Sequence, residues 1–143
     1  MLLPQIVQTE ADKVFVNVLN NQASATANGD ALAWNTSSPD GVRSTAPTTA
    51  TLSLFVGVSD GAIAASAYGL AQAYGFRSSA KVTTHTTQAI TAGDILVPVD
   101  QVAYLGRSAA SDGKTGFVFA AAAVTTDTTP GSTTAVSVFI RAL

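Results

Sequence analysis

Cysteine is absent from the chain, and histidine and tryptophan occur once each. Without cysteine there is neither a disulfide framework nor a thiolate metal site. A single histidine, with the acids scattered one by one, argues against a transition-metal centre. Charge is scarce as well. Asp, Glu, Lys and Arg make up 11% of the 143 residues, where soluble domains average roughly 25%. The net charge of -2 supplies no field for holding a nucleic acid or an anionic membrane. Long hydrophobic runs are missing too: the longest, Phe117 to Val124, is far short of the ~18 residues of a spanning helix. The start, MLLPQIVQTEADK, has no basic head, no long apolar stretch and a proline at position 4. It does not read as a signal peptide, and synthesis in a reducing cytoplasm is expected.

What is present is alanine, serine and threonine in place of charge. A charge-poor, apolar-leaning surface disfavours a solitary soluble molecule unless much of it is buried between subunits. The chain therefore reads as a member of an assembly, self-associated as a dimer or trimer.

Strand patterns dominate. KVFVNVL (Lys13 to Leu19) sets Val14, Val16 and Val18 on one face, and TLSLFVGV (Thr51 to Val58) does the same with Leu52, Leu54 and Val56. GLAQAYGF aligns Leu70, Gln72, Tyr74 and Phe76; DALAW, AKVTTHTT, DILVPV, QVAYLGR, GFVFAAAAV and AVSVFIRAL complete the set. Turn signals separate them at Asn28-Gly29, Pro39-Asp40-Gly41, Ser59-Asp60-Gly61, Ser111-Asp112-Gly113 and Pro130-Gly131. The expected fold is all-β, a small β-barrel or β-sandwich with an extended N-terminal arm and long loops. Residues 1–12 form the arm and 13–143 a single domain, of which 20–50 is largely loop and Thr125 to Thr134 an exposed hairpin tip.

Gly-Asp occurs twice in like settings, in ANGDALAW (Asp30) and TAGDILVPV (Asp94). Two carboxylates on one cleft would suit acid–base chemistry. Glycine followed by aspartate also suits a turn that opens a strand, and that reading is preferred, with two related halves of one β-module as its extension. GRSAASDGKTG ends like a phosphate loop, but Ser108 stands where the first glycine belongs and no helix pattern follows. His85, in TTHTT, has no nucleophile elbow to serve, and Asn35-Thr36-Ser37 is a glycosylation sequon that matters only in a secreted chain. Trp34, Tyr68, Tyr74 and Tyr104 could stack on sugars, although one Trp and three Tyr are also the ordinary aromatic complement of a β-domain. No catalytic, cofactor-binding or metal-binding residue emerges, and an enzyme is not expected. Apolar residues without an obvious core partner, Leu2, Leu3, Ile6 and Val7 in the arm and Trp34 in the long loop, are the candidate contact residues.

The order GD, then FVGV, then the G-x-x-Q-x-Y-G of Gly69 to Gly75, then AGD-x-L, spread over residues 27 to 143, resembles the small head decoration (cement) proteins of tailed bacteriophages. The resemblance implies a compact β-domain on the capsid exterior, with the major capsid protein and copies of itself as partners and no cofactor. It implies a structural role, stapling shell subunits together in the virion. A tail, neck or fibre component, and a β-sandwich carbohydrate-binding module, are the alternatives.

Overall fold

The structure, a computed structural model, describes residues 12–84, 89–108, 116–125 and 132–142. Among these residues nine strands follow one another: β1 (Val14–Asn20), β2 (Ala31–Trp34), β3 (Arg43–Thr45), β4 (Phe55–Ser59), β5 (Tyr68–Thr83), β6 (Ile95–Pro98), β7 (Leu105–Arg107), β8 (Val118–Ala120) and β9 (Thr134–Arg141). Among the described residues the one helical element is a single 3-10 turn, Leu52–Leu54. The all-β expectation holds, but the shape is neither a regular barrel nor a two-sheet sandwich. The strands form one mixed sheet in the order β1-β3-β2-β4-β5-β7-β6-β8-β9, with two further pairings, β1–β5 and β5–β9. Those two pairings close the sheet into two circuits of five strands that share the long strand β5.

The circuits repeat one plan. In the first, β1 pairs β3 in parallel, while β2–β3, β2–β4, β4–β5 and β1–β5 are antiparallel. In the second, β5 pairs β7 in parallel, while β6–β7, β6–β8, β8–β9 and β5–β9 are antiparallel. Each strand of the first circuit thus has a counterpart four strands later, and β5 plays both the last part of one and the first part of the other. Even the isolated bridges match, Thr26 with Ile63 and Ile90 with Val124.

Side chains fill both circuits. Val18, Leu32, Val56, Ile63 and Ala71 form the first core. The second is larger and includes Val82, Ile90, Leu96, Leu105, Val118, Val136, Val138 and Ile140. Ala31, Phe55 and Val58 of the first circuit belong to this second core, and Phe55 meets Phe117 with ring centroids 5.9 Å apart. Strand β4 therefore lies between two cores and all five of its residues are buried. A strand covered on both faces reads as a continuous apolar run rather than an alternating one.

Two sequence expectations need correction here. Leu52 and Leu54 do not continue β4 but sit half-buried in the 3-10 turn. A bulge, with Ala33 opposite Phe55 and Leu32 opposite Gly57, leaves Val56 as the extra residue and resets the alternation. Leu70, Gln72, Tyr74 and Phe76 do not share one face along β5. The register shift, with Val14 opposite Tyr74 and Phe15 opposite Gln72, leaves Ala73 as an extra residue of β5, so Tyr74 keeps the face of Val14 while Leu70, opposite Asn17, keeps that of Phe15. Within the segment 20–50, expected as largely loop around DALAW, the strands are β2, which lies in DALAW, and the three-residue β3. Of the expected hairpin tip, residues 126–131 lie outside the described residues; the strands flanking it, β8 and β9, are antiparallel neighbours.

Candidate functional site

The Gly-Asp pairs sit at equivalent places, each at the entry to the second strand of its circuit. Gly29 and Gly93 have φ of +87° and +92°, a left-handed backbone that glycine adopts without strain. The Gly29 amide donates to Ser59 O, and the Gly93 amide to Ala120 O. Asp30 Oδ2 accepts from the Ala27 amide at 2.7 Å, and Asp94 Oδ2 from the Thr91 amide at 2.8 Å. Each carboxylate also holds a cation brought from a later strand: Lys81 Nζ lies 2.6 Å from Asp30 Oδ1, and Arg107 Nε 3.1 Å from Asp94 Oδ2. Both aspartates are occupied with closing their own turns. Asp30→Ala and Asp94→Ala are each expected to cost about 1–3 kcal/mol of stability, the worth of hydrogen bonds to a charged group. Chemical denaturation measures this directly.

A second charged centre was not legible in the sequence. Arg77, on β5, is only 6% exposed. Its guanidinium donates to Ser79 O at 2.6 Å, Asp60 Oδ1 at 2.9 Å, Asn28 Oδ1 at 2.5 Å and Ser59 O at 2.7 Å. It thereby ties the first Gly-Asp turn and the end of β4 to β5, at the junction of the circuits. Gln72, also buried, turns its amide onto Tyr74 O and Phe76 O of its own strand. Asn20 is buried as well: its amide donates to Ser24 O, Ile63 O and Ala64 O, and its Oδ1 accepts from the Gln22 amide. All three bind protein, and none is aimed into open space.

One groove of about 300 Å³ lies between the first Gly-Asp turn (Asn28, Gly29), β5 (Ser79, Lys81) and the start of β9 (Thr133, Ala135). Its one charged group, Lys81, is already held by Asp30. No aromatic ring lines it. Among the described residues no group of three or more His, Cys, Asp or Glu side chains could hold a metal ion. No helix among them is long and apolar enough to cross a membrane. Asp40 has its pKa lowered by the amides of Arg43 and Val42, with the Arg43 guanidinium adding to this. Its contribution to the 40–43 turn is therefore present above the ordinary aspartate pKa and lost as pH falls through the lowered value.

The distinctive surface lies elsewhere. Around Tyr74, β5 is flanked on both edges, with Val14 of β1 on one side and Arg141 of β9 on the other. Large apolar side chains are exposed on all three strands of this strip, Val14, Phe15, Tyr68, Leu70, Tyr74 and Phe139, and the register shift divides them between faces, with Val14 and Tyr74 on one and Phe15 and Leu70 on the other. Phe76 opposes Phe139, their rings edge to face at 5.7 Å. No strand of the strip contains an acidic residue. Tyr68 and Tyr74 are about 20 Å apart along β5, at roughly 3.3 Å per residue, too far to stack on one sugar ring. Trp34 lies at the end of β2 rather than in a loop, half-buried against the first core. Tyr104 is partly covered, with Lys81 Nζ 6.0 Å from its ring centre. Leu2, Leu3, Ile6, Val7, His85 and the Gly113-Lys114-Thr115 end of the loop-like motif lie outside the described residues. Comparison with protein-family models finds no match for this chain, and comparison with curated proteins finds none either.

Proposed function

We propose that the chain is a non-enzymatic structural protein of a virion, one that binds the capsid exterior and stabilises the shell. The observation that carries this reading is the exposure of large apolar side chains on β1, β5 and β9, strands without an acidic residue, a surface suited to adhesion rather than to chemistry. The carboxylates and guanidinium groups that could have served a reaction close turns and join the two circuits instead. The resemblance to phage decoration proteins and the scarcity of charge agree with it. The major capsid protein is the proposed partner, and many copies of one modest contact add up on a repeating lattice.

Quantitative mass spectrometry of purified particles from the source tests the role. A ratio to the major shell protein of one, or of a simple fraction such as one third, is the expected result. A handful of copies per particle moves the chain to the tail or neck, and complete absence rejects the virion reading. The arm is tested separately: deleting residues 2 to 8 is expected to weaken attachment to shells while leaving the far-ultraviolet circular dichroism unchanged. Undiminished binding removes Leu2, Leu3, Ile6 and Val7 from the contact. Ligand-dependent quenching of Trp34 fluorescence by soluble glycans is the outcome that would put a carbohydrate-binding module first.

A further inference from the structure

We infer that the chain associates with copies of itself head to tail, an apolar face of one copy meeting a second apolar face, on the opposite side of the sheet, of the next. The inference goes beyond the virion role and does not depend on it, because it concerns the purified chain alone.

Seven large apolar side chains are exposed among the described residues, and the ladder registers sort them onto two faces. Ile95 opposes Phe119, Phe119 opposes Phe139, and Phe139 opposes Phe76, so one row crosses β6, β8, β9 and β5 on the outside of the second circuit. Two residues along the strands from Phe139 and Phe76, Arg141 opposes Tyr74, and Tyr74 opposes Val14. This larger face holds Ile95, Phe139, Tyr74 and Val14 of the exposed seven, with Phe76 and Phe119 half-buried beside them. The other three, Phe15, Leu70 and Tyr68, stand across the sheet, where Phe15 opposes Gln72, Asn17 opposes Leu70 and Leu19 opposes Tyr68. The first circuit shows how such a row is covered. Its counterpart of Ile95, Phe119, Phe139 and Phe76 is Ala31, Val58, Gln72 and Phe15, and there Ala31 and Val58 are sealed in the second core. The end unit of a stack needs a polar outer face to stay alone in solution. The second circuit has three phenylalanines and an isoleucine in that place.

The two faces match in size and in charge. Phe139 is 52% exposed and Tyr74 42% on the larger, Tyr68 63% and Leu70 47% on the smaller. At ~150–250 Å² for a fully exposed aromatic side chain, the larger face presents roughly 400 Å² of apolar surface and the smaller roughly 300 Å². A standard interface buries about 800 Å² on each partner, a little over half of it apolar, so the faces supply the two apolar centres of one contact. Arg141, on the larger face, makes no ion pair with a described residue. Asp60 borders the smaller face. It lies one step past the Ser59–Ala71 pair, its amide donates to Leu70 O, and its side chain is 45% exposed. Arg77 holds its Oδ1, which leaves Oδ2 for a partner. A head-to-tail contact brings Arg141 of one copy toward Asp60 of the next, whereas either face laid on its own copy places two like charges in one contact. Such a contact joins unlike patches, so each added copy offers a fresh face until a ring closes. A trimer is the smallest such ring.

Sedimentation velocity of the full chain from low to high micromolar concentration reads the association. The expected result is growth from monomer to assemblies of three or more copies. Tyr68→Glu alters the smaller face and Phe139→Glu the larger, and each alone is expected to weaken the contact at least about tenfold by placing a carboxylate in its desolvated centre. Mixed in equal amounts, the two variants are expected to form a one-to-one dimer, because each retains the face that the other has lost. Both side chains are more than half exposed, so an unchanged circular dichroism spectrum and melting temperature are expected and verify the folds. Arg141→Glu takes the place of Phe139→Glu if the loss of the Phe76–Phe139 ring contact unfolds that variant. A monomer at every concentration overturns the inference, as does association that survives both variants. A wild-type assembly that stops at two copies, with variants that fail to complement each other, shows a two-fold contact and overturns it too. So does a monomeric chain that purified shells capture through either face, which makes the capsid the occupant.

Discussion

Arg77→Met is expected to lower the stability of the fold by about 2–4 kcal/mol, from the loss of several charge-assisted hydrogen bonds to buried acceptors. For a chain of this length that corresponds to a drop in melting temperature of roughly 5–15 °C. The loss falls mainly on the neutral acceptors. Asp60 is 45% exposed at its side chain and can be solvated when the guanidinium is removed. Ser59 O, buried with its residue, has no such recourse. Arg77→Lys is expected to fall between the two, because a compact ammonium cannot span acceptors from the 28–29 turn, the end of β4 and β5 as a planar fork does. Methionine retains the length and apolar bulk of the stem, so the measured difference reports the hydrogen bonds rather than a cavity. A cost below about 1 kcal/mol for Arg77→Met would show that the junction is held by packing alone. The register position of Arg77 in the second circuit is that of Val16 in the first, since Arg77 opposes Val138, which opposes Ala120, as Val16 opposes Ala71, which opposes Ser59. The shared strand has accepted a charged residue where its counterpart carries an apolar one, and that residue joins the two circuits.

The sequence displayed some of this plainly and concealed the rest for definite reasons. The Gly-Asp pairs were legible as strand entries because a positive φ and a short acceptor side chain belong to turns, and both now close equivalent turns. The relatedness of the two halves was visible only as that dipeptide. What repeats is the hydrogen-bond plan, and a ladder constrains side chains so little that Leu32 and Leu96 are buried at matching positions while Trp34 stands opposite Pro98 in the scheme. The length of β5 was hidden by Gly69, Gly75 and the Ser78-Ser79 pair, which read as breaks. The register shift between Arg77 and Ala80 accommodates the last of these without ending the strand. β3, Arg-Ser-Thr, has no apolar signature to find. A buried arginine contradicts the usual preference of that side chain for solvent, so Arg77 could not have been singled out. Leu70, Tyr74 and Phe76 were visible as aromatic or apolar residues at alternate positions, but the extra residue Ala73, which puts Leu70 and Tyr74 on opposite faces, has no signature in the sequence.

Gly57→Ala is expected to be severely damaging for a single added methyl, costing about 4 kcal/mol or more. Gly57 has φ of +154° in the middle of β4, a conformation that an L side chain rarely adopts. A Cβ there would also collide with the backbone carbonyl of Gln72 on β5. The obstacle is main chain held by ladders on both of its edges, so it cannot swing aside as the tip of a flexible side chain would. The neighbourhood adds to the difficulty, because β4 is buried on both faces and a shift of its backbone disturbs both cores together. Gly41→Ala separates conformational strain from collision. Gly41 has φ of +76°, yet a Cβ there meets nothing within 4 Å, so its expected cost is the left-handed penalty alone, about 1–2 kcal/mol. Urea denaturation of the two variants beside the parent chain measures both quantities. If Gly57→Ala proves no worse than Gly41→Ala, β4 and β5 have room to part at their crossing, and the close contact assigned to the junction of the two circuits is wrong. If Gly57→Ala fails to fold while Gly41→Ala melts only slightly early, the shared strand tolerates no extra atom where β4 crosses it, and the two circuits hold together by backbone contact as well as through Arg77.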